Sequence, residues 1–259
     1  MLTFAEGTAF VTGGGSGIGQ ATAIMLAAAG VPVAVADIDG DGVTQTVTRI
    51  EAEGGAALGL ALDVTDRAAV DAAFDKVEAW KGAVTILVNS AGILRVEPFE
   101  DFTTEDFETV MSVNVTGSFH CAQRAAAGMK AKGYGRIVNL SSVSGYRAGV
   151  GRTAYGTSKA AIAHLTRQIA LELGRSGITA NAIAPGTTMT KMTAAAYTEE
   201  NKANFLKMIP SGFIAEPEDI APSIIFLASE QARYVNGHTM PVDGGYLASG
   251  MTQTAGIEV

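Results

Sequence analysis

Short apolar runs rich in β-branched residues recur at 8–12, 31–37, 57–63, 86–89, 137–141, 178–184 and 238–242. Alanine-rich stretches of helical period lie between them at 18–29, 68–80, 107–131 and 155–173. This alternation restricts the fold more than any other feature. Consecutive parallel strands need a crossover connection, usually a helix, whereas antiparallel strands could be joined by tight turns. The runs are apolar throughout and show no polar face, so both faces of the sheet must be covered. The expectation is an α/β fold with a doubly wound parallel sheet of about seven strands. A chain of 259 residues fits one such domain, and no linker, repeat or low-complexity segment divides 1–259. Only 187–215 breaks the alternation; its Met, Thr and Ala content and two short helix-like pieces suit a mobile flap.

Composition narrows the function classes. Charged residues make up 17% of the chain and the net charge is −8, so the basic patch that nucleic acid or an anionic membrane would require is missing. No apolar run approaches the roughly 18 residues needed to span a bilayer. The first ten residues lack a basic segment followed by an apolar one, and the expected location is the cytoplasm. Cys121 is the single cysteine and reads as a small core residue. His120, His164 and His238 are widely separated and lack nearby partner ligands, so no metal site is expected.

The first strand runs into Thr12-Gly13-Gly14-Gly15-Ser16-Gly17-Ile18-Gly19 and then into a helical pattern. Glycines in such a turn permit positive φ and let the backbone approach a pyrophosphate, whose charge the helix N-terminus favours. Asp37 follows at the end of the second strand, eighteen residues after Gly19, where a carboxylate can accept hydrogen bonds from an adenosine ribose. No lysine or arginine lies between Val31 and Thr48, so a 2′-phosphate would meet repulsion without a compensating cation, and NAD is expected over NADP. The other reading of Asp37 is a solvated turn residue in Asp37-Ile38-Asp39-Gly40-Asp41-Gly42. Ile38 follows Asp37 at the same strand end, and Asp63 and Val64, ending the third strand, could frame an adenine.

Tyr155 and Lys159 stand four residues apart on an expected helix and share a face. A phenol titrates near ~10, and bringing it to neutrality needs roughly 4 kcal/mol of preferential stabilisation of the phenolate, which an adjacent ammonium and an oxidised nicotinamide could supply. Upstream, the run 135–142 is a strand ending in Ser141 and Ser142, at the edge where doubly wound sheets bind ligands.

Together these motifs resemble the short-chain dehydrogenase/reductase family over almost the whole chain. The resemblance rests on Thr12-Gly13-x-x-x-Gly17-x-Gly19, Asp63, Asn89-Ser90-Ala91-Gly92, Asn114, Ser142, Tyr155 with Lys159, and Pro185-Gly186. It implies a single-domain Rossmann-type fold, a homo-oligomer, most often a tetramer, and a substrate flap at 187–215. It also implies hydride exchange between a substrate carbon and NAD while Tyr155 exchanges a proton with the substrate oxygen. Ser142, with Ser141 as the alternate, would orient that oxygen. Lys159 would bind the nicotinamide ribose and lower the tyrosine pKa, and Asn114 would hold a linking water. Asn89, Ala91 and Gly92 would flank the cofactor, and Pro185, Gly186, Thr188 and Thr190 would hold its carboxamide. Ser90 and Thr188 depart from the usual pattern without removing a catalytic group.

The expected substrate is a small alcohol or ketone. A 3-oxoacyl-thioester reductase shares nearly every motif, although Asp37 weighs against its usual NADP preference. A non-catalytic dinucleotide sensor would need only the glycine turn. Arg95, Arg147 and Arg152 follow segments that the family places at the substrate mouth; each could hold a carboxylate or pair with a surface acid. The low-charge faces of 107–131 and 155–173 suit either a partner subunit or the interior.

Overall fold

In the computed structural model, which describes residues 2–194 and 198–249, the apolar runs become seven parallel strands: β1 Thr8–Thr12, β2 Val33–Asp37, β3 Ala57–Ala61, β4 Val84–Asn89, β5 Gly135–Leu140, β6 Ile178–Pro185 and β7 Thr239–Val242. They form one sheet in the order β3-β2-β1-β4-β5-β6-β7. Successive side chains point to opposite faces, and here both faces are greasy. Ala9, Val11, Val35, Ile86, Val88 and Val138 face one core. Phe10, Ala34, Leu87 and Ile137 face the other. That is why the strands read as unbroken apolar runs.

Helices α1 Gly17–Ala28, α2 Gly40–Ala52 and α9 Pro217–Ala228 cover the first face through Leu26, Ile50 and Ile224. Helices α3 Arg67–Lys81, α5 Ser118–Lys132 and α6 Thr153–Leu173 cover the second through Phe74, Met129 and Ala170. Phe10 stacks on Phe74 with ring centroids 4.3 Å apart. Cys121 is fully buried in this second core, where burial pushes its thiol up to about 12.

Two expectations need correction. The acidic-glycine run at 37–42 is only in part a turn: Asp39 accepts from the Gly42 amide at 3.2 Å and caps α2, a helix that the sequence reading leaves out. Capping and turn chemistry use the same residue types, so the run was ambiguous until Val43, Thr46 and Ile50 were seen buried behind it. The single helix expected at 107–131 is instead α4 Thr104–Met111, a π-helical segment Ser112–Gly117 and then α5. Inside that segment the Asn114 carbonyl accepts from the Ser118 hydroxyl at 2.8 Å. A Cβ on Gly117 would lie 2.5 Å from Val64 Cγ2, so the backbone passes closer to β3's exit loop than any other residue type would allow.

The chain moves outward from β1 to β3, then returns to the opposite side of β1 with β4. The order reverses there, and a crevice opens beyond the carboxyl ends of β1 and β4. Segment 187–215 contributes Thr187, Thr188, Thr190, Met192, Thr193 and Phe205 to its lining. Its ends are clasped together: Met189 N donates to Ala215 O at 2.8 Å and Ala215 N to Thr187 O at 3.1 Å. Between them lie α7 Lys191–Ala194 and α8 Glu199–Leu206.

Candidate active site

A cleft of about 660 Å³ occupies that crevice. At one end it is built by the glycine turn. Gly13 has φ of +65°, and a Cβ there would lie 2.7 Å from Ala91 N. A Cβ on Gly19 would lie 2.1 Å from Gly13 O, so both positions are closed to larger residues. Thr12 Oγ1 accepts from Ser90 N and Ala91 N, each at 3.1 Å, and ties the turn to the loop after β4. Ser16 caps α1 without using its hydroxyl, and the first turn of α1 carries no acidic side chain. The helix start therefore presents amide N–H groups and a free hydroxyl to an anion.

The Asp37 carboxylate is oriented by two amides: Oδ2 accepts from Gly15 N and Oδ1 from Asp39 N, both at 3.0 Å. Asp63 Oδ1 accepts from the Thr65 amide at 2.9 Å and from its hydroxyl at 2.8 Å. A cation that sequence order hides is also near. Lys191, from α7, reaches Asp39 Oδ2 at 3.4 Å, and Asp39 is held below the usual carboxylate range by the Gly42 amide and then by Lys191.

At the other end, α6 delivers the tyrosine and lysine on one face. Lys159 Nζ lies 5.6 Å from the Tyr155 ring centroid and donates to Leu140 O at 2.7 Å. Burial lowers the Lys159 ammonium to about 8. Gly92 makes room beside it, since a Cβ there would lie 3.2 Å from Asn114 Oδ1 and 3.6 Å from Lys159 Nζ. The two serines separate. Ser141 donates its hydroxyl to Lys159 O at 2.8 Å and so pins α6 to β5. Ser142 Oγ accepts from Ser144 N at 3.1 Å, which leaves its O–H able to donate to a ligand oxygen.

Of the residues that the sequence assigns to catalysis and cofactor binding, seventeen line the cleft: Gly13, Ser16, Gly17, Ile18, Asp37, Ile38, Asp63, Val64, Ala91, Gly92, Ser142, Tyr155, Lys159, Pro185, Gly186, Thr188 and Thr190, and the alternate Ser141, Ser90, Arg147 and Arg152 line it too. Gly15, Gly19, Asn89 and Asn114 do not line it. Gly15 and Gly19 shape the turn from behind. Asn89 is turned into the sheet, donating to Ser118 O at 3.2 Å and Asn139 Oδ1 at 2.9 Å. Asn114 is locked by Ile93 N and O and by Ser158 Oγ, at 2.8, 3.1 and 2.9 Å. Thr188 Oγ1 donates to Gly186 O at 3.1 Å, and Thr193 Oγ1 donates to Thr188 O at 2.7 Å. Thr193, Phe205 and Tyr246 also line the cleft and went unnoticed, because nothing in their spacing marks them.

The cavity thus offers a glycine cradle, an amide-held carboxylate and a phenol–ammonium pair in one continuous groove, which fits an extended dinucleotide. Among the described residues there is no helix long and apolar enough to cross a membrane.

A family model described as enoyl-(acyl carrier protein) reductase matches residues 13–247. A 2-dehydro-3-deoxy-D-gluconate 5-dehydrogenase of Bacillus subtilis is 38% identical over 243 residues, 93% of this chain and 94% of that protein. A 3-oxoacyl-[acyl-carrier-protein] reductase of Mycobacterium avium is 42% identical over 188 residues, 72% of this chain and 73% of that protein. The structure of 7α-hydroxysteroid dehydrogenase complexed with NADH and 7-oxo-glycochenodeoxycholic acid matches with a TM-score of 0.91 at 35% identity, covering 94% of this chain and 95% of that one. Other similar structures hold NADP. With these matches, the strand order and the cleft, the chain belongs to the short-chain dehydrogenase/reductase family and is a dinucleotide-linked oxidoreductase.

Proposed function

We propose that the protein is an NAD(H)-dependent dehydrogenase that interconverts a secondary alcohol and a ketone on a small hydroxy compound. The Tyr155–Lys159 pair opening into the cleft beside Ser142 carries this reading. When bound, the nicotinamide supplies or accepts the hydride. Tyr155 gives its phenolic proton to the carbonyl oxygen, or takes it from the alcohol. Ser142 donates its O–H to the same oxygen and fixes the carbon's orientation. The Lys159 ammonium uses one N–H on Leu140 O and keeps two for ribose hydroxyls, while its charge favours the phenolate. Asn114 acts at one remove: its three side-chain hydrogen bonds hold the Ile93 backbone and Ser158 around Lys159.

The NAD preference is supported by Asp37, whose amide-held carboxylate lines the glycine-turn end of the cleft and would repel a 2′-phosphate bound there. Lys191 does not cancel it, because Asp39 already pairs with that ammonium. Tyr155→Phe tests the chemical assignment. Turnover should fall by about 10²–10⁴, the usual worth of a proton-transfer group, while NADH binding measured by fluorescence is retained. Preserved turnover would remove Tyr155 from its role. Initial rates with NAD and NADP in parallel test Asp37, and a preference for NADP would refute that part.

A second reading, reduction of a 3-oxoacyl thioester, is favoured by the Mycobacterium avium relative. Acetoacetyl-CoA as substrate separates the two. The remaining parts of the proposal are a cytoplasmic homo-oligomer, most simply a tetramer, with 187–215 as its substrate flap. The exposed Phe119 on α5 and Leu171 on α6 support subunit packing on these helices, and sedimentation would measure it.

A further inference from the structure

Three arginines stand near the cleft mouth, and the structure gives them different surroundings. Arg95 reaches Asp106 at 3.6 Å and does not line the cleft. Arg147 donates to Leu247 O at 3.2 Å and Ser249 O at 3.0 Å, and its guanidinium lies 5.7 Å from the Tyr246 ring centroid. It is occupied in holding the segment after β7 across the mouth. Arg152 lines the cleft, is half-buried, and pairs with no carboxylate among the described residues. Its guanidinium carbon lies 5.9 Å from the Tyr155 ring centroid.

Local structure explains the placement. Arg152 is the N-cap of α6 yet makes no capping bond with its side chain. It stands three residues before Tyr155, so the two side chains share a helix face. Its stem lies along Gly149, where a Cβ would come within 3.1 Å of Arg152 Cδ. The next glycine, Gly151, has φ of +73° and lets the loop turn tightly into the helix. The chain thus leaves a channel for this side chain and directs it toward the reacting end.

The charge pattern of the cleft points the same way. Its lining acids, Asp37 and Asp63, both lie at the glycine-turn end, whereas Arg147, Arg152 and Lys159 lie at the tyrosine end. In a chain of net charge −8 this is a local reversal. With the Tyr155 ring beside it and no acid paired to it among the described residues, the Arg152 guanidinium has N–H donors that a carboxylate in the cleft can meet as a bidentate acceptor.

We propose that Arg152 binds the carboxylate of a short hydroxy or oxo acid, so that the cleft selects anionic substrates over neutral alcohols of the same shape. The inference rests on Tyr155 as the proton-transferring residue, since the bound carboxylate would then sit a few bonds from the carbon whose oxygen meets the phenol.

The test is calorimetric titration of the NADH-saturated protein with two matched pairs, D-gluconate against D-sorbitol and 3-hydroxybutyrate against 2-butanol. At least one acid should bind at least tenfold more tightly than its neutral partner. Arg152→Gln should erase that tenfold and leave the neutral compound unaffected, and Arg152→Lys should keep part of it. If neither acid is preferred, or if the Gln variant weakens acid and alcohol alike, the inference is overturned. The second of those outcomes would make Arg152 a general electrostatic support for Tyr155. Turnover assays keep the two proposals apart. An acid that binds through Arg152 without being oxidised would sink the dehydrogenase reading alone. Acids and alcohols oxidised with equal kcat/KM by parent and Gln variant would sink the carboxylate site alone.

Discussion

The two serines at the end of β5 are adjacent in sequence and divided in their surroundings. Ser141 spends its hydroxyl on the Lys159 carbonyl, whereas Ser142 keeps its proton for the cleft. Ser141→Ala should therefore cost about 1 kcal/mol of stability, the worth of one buried hydrogen bond, with a modest change in kcat. Ser142→Ala should cost a similar amount of stability, since Ser144 N loses its acceptor, but lower kcat by about 10²–10³. Paired urea melts and initial rates would reveal either pattern. Lys159 carries a different signature. Its folded-state value lies near 8, below the ordinary 10.5, so folding disfavours the charged form. That penalty, on the order of 3 kcal/mol, acts in full below about pH 8 and is relieved as pH rises toward 10.5. A Lys159→Met variant lacks it. Relative to its parent, the variant should be most stable at pH 7 and lose that relative advantage by pH 10. Denaturant titrations of the cofactor-free proteins at both pH values would show the gap closing, and a constant gap would contradict the assignment.

At the level of elements, the π-helical segment and the clasp at 187–193 are where the site departs from regular structure. The extra width at Ser112–Gly117 seats Asn114 against Ile93 and Ser158 while bringing Gly117 onto Val64, a residue of the cleft wall. Gly117→Ala should cost about 1–3 kcal/mol, because its Cβ overlaps Val64, and should raise KM for the cofactor by moving that wall. Thermal melts together with cofactor titration would measure both. Thr193 ties this segment together by bonding to Thr188 and Thr190. Thr193→Val should raise KM with little change in Tm, since Thr193 is a partly buried residue lining the cleft and lies outside both apolar cores. The π segment was not legible from the chain because its apolar period runs through without a proline or glycine break before Gly117. Helix α2 was missed for the opposite reason, its start being written in residues that also make turns.

For the molecule as a whole, the cleft exists because strand order reverses between β1 and β4, and its residues stand at strand ends or on the loops that leave them, on the starts of α1 or α6, on the segment 109–113, or at 187–193 and Phe205. A ligand that joins both ends of such a groove stabilises the folded state by mass action. NADH at about a hundred times its Kd should contribute roughly 2.7 kcal/mol, seen as a rise in Tm that NADPH does not match if Asp37 selects the cofactor. The α/β class, the seven strands, the glycine turn and the Tyr155–Lys159 spacing were legible in the chain, because each depends on short-range periodicity or on residues within one helix turn. Three things depended on the folded molecule. They are Asn89 turning into the sheet, Lys191 arriving beside Asp39, and Arg152 lining the cavity with neither the acid that holds Arg95 nor the carbonyls that hold Arg147. The physical reason is the same in each case: a side chain's partners are set by distance in space, and the elements that supply them lie up to 152 residues away along the chain.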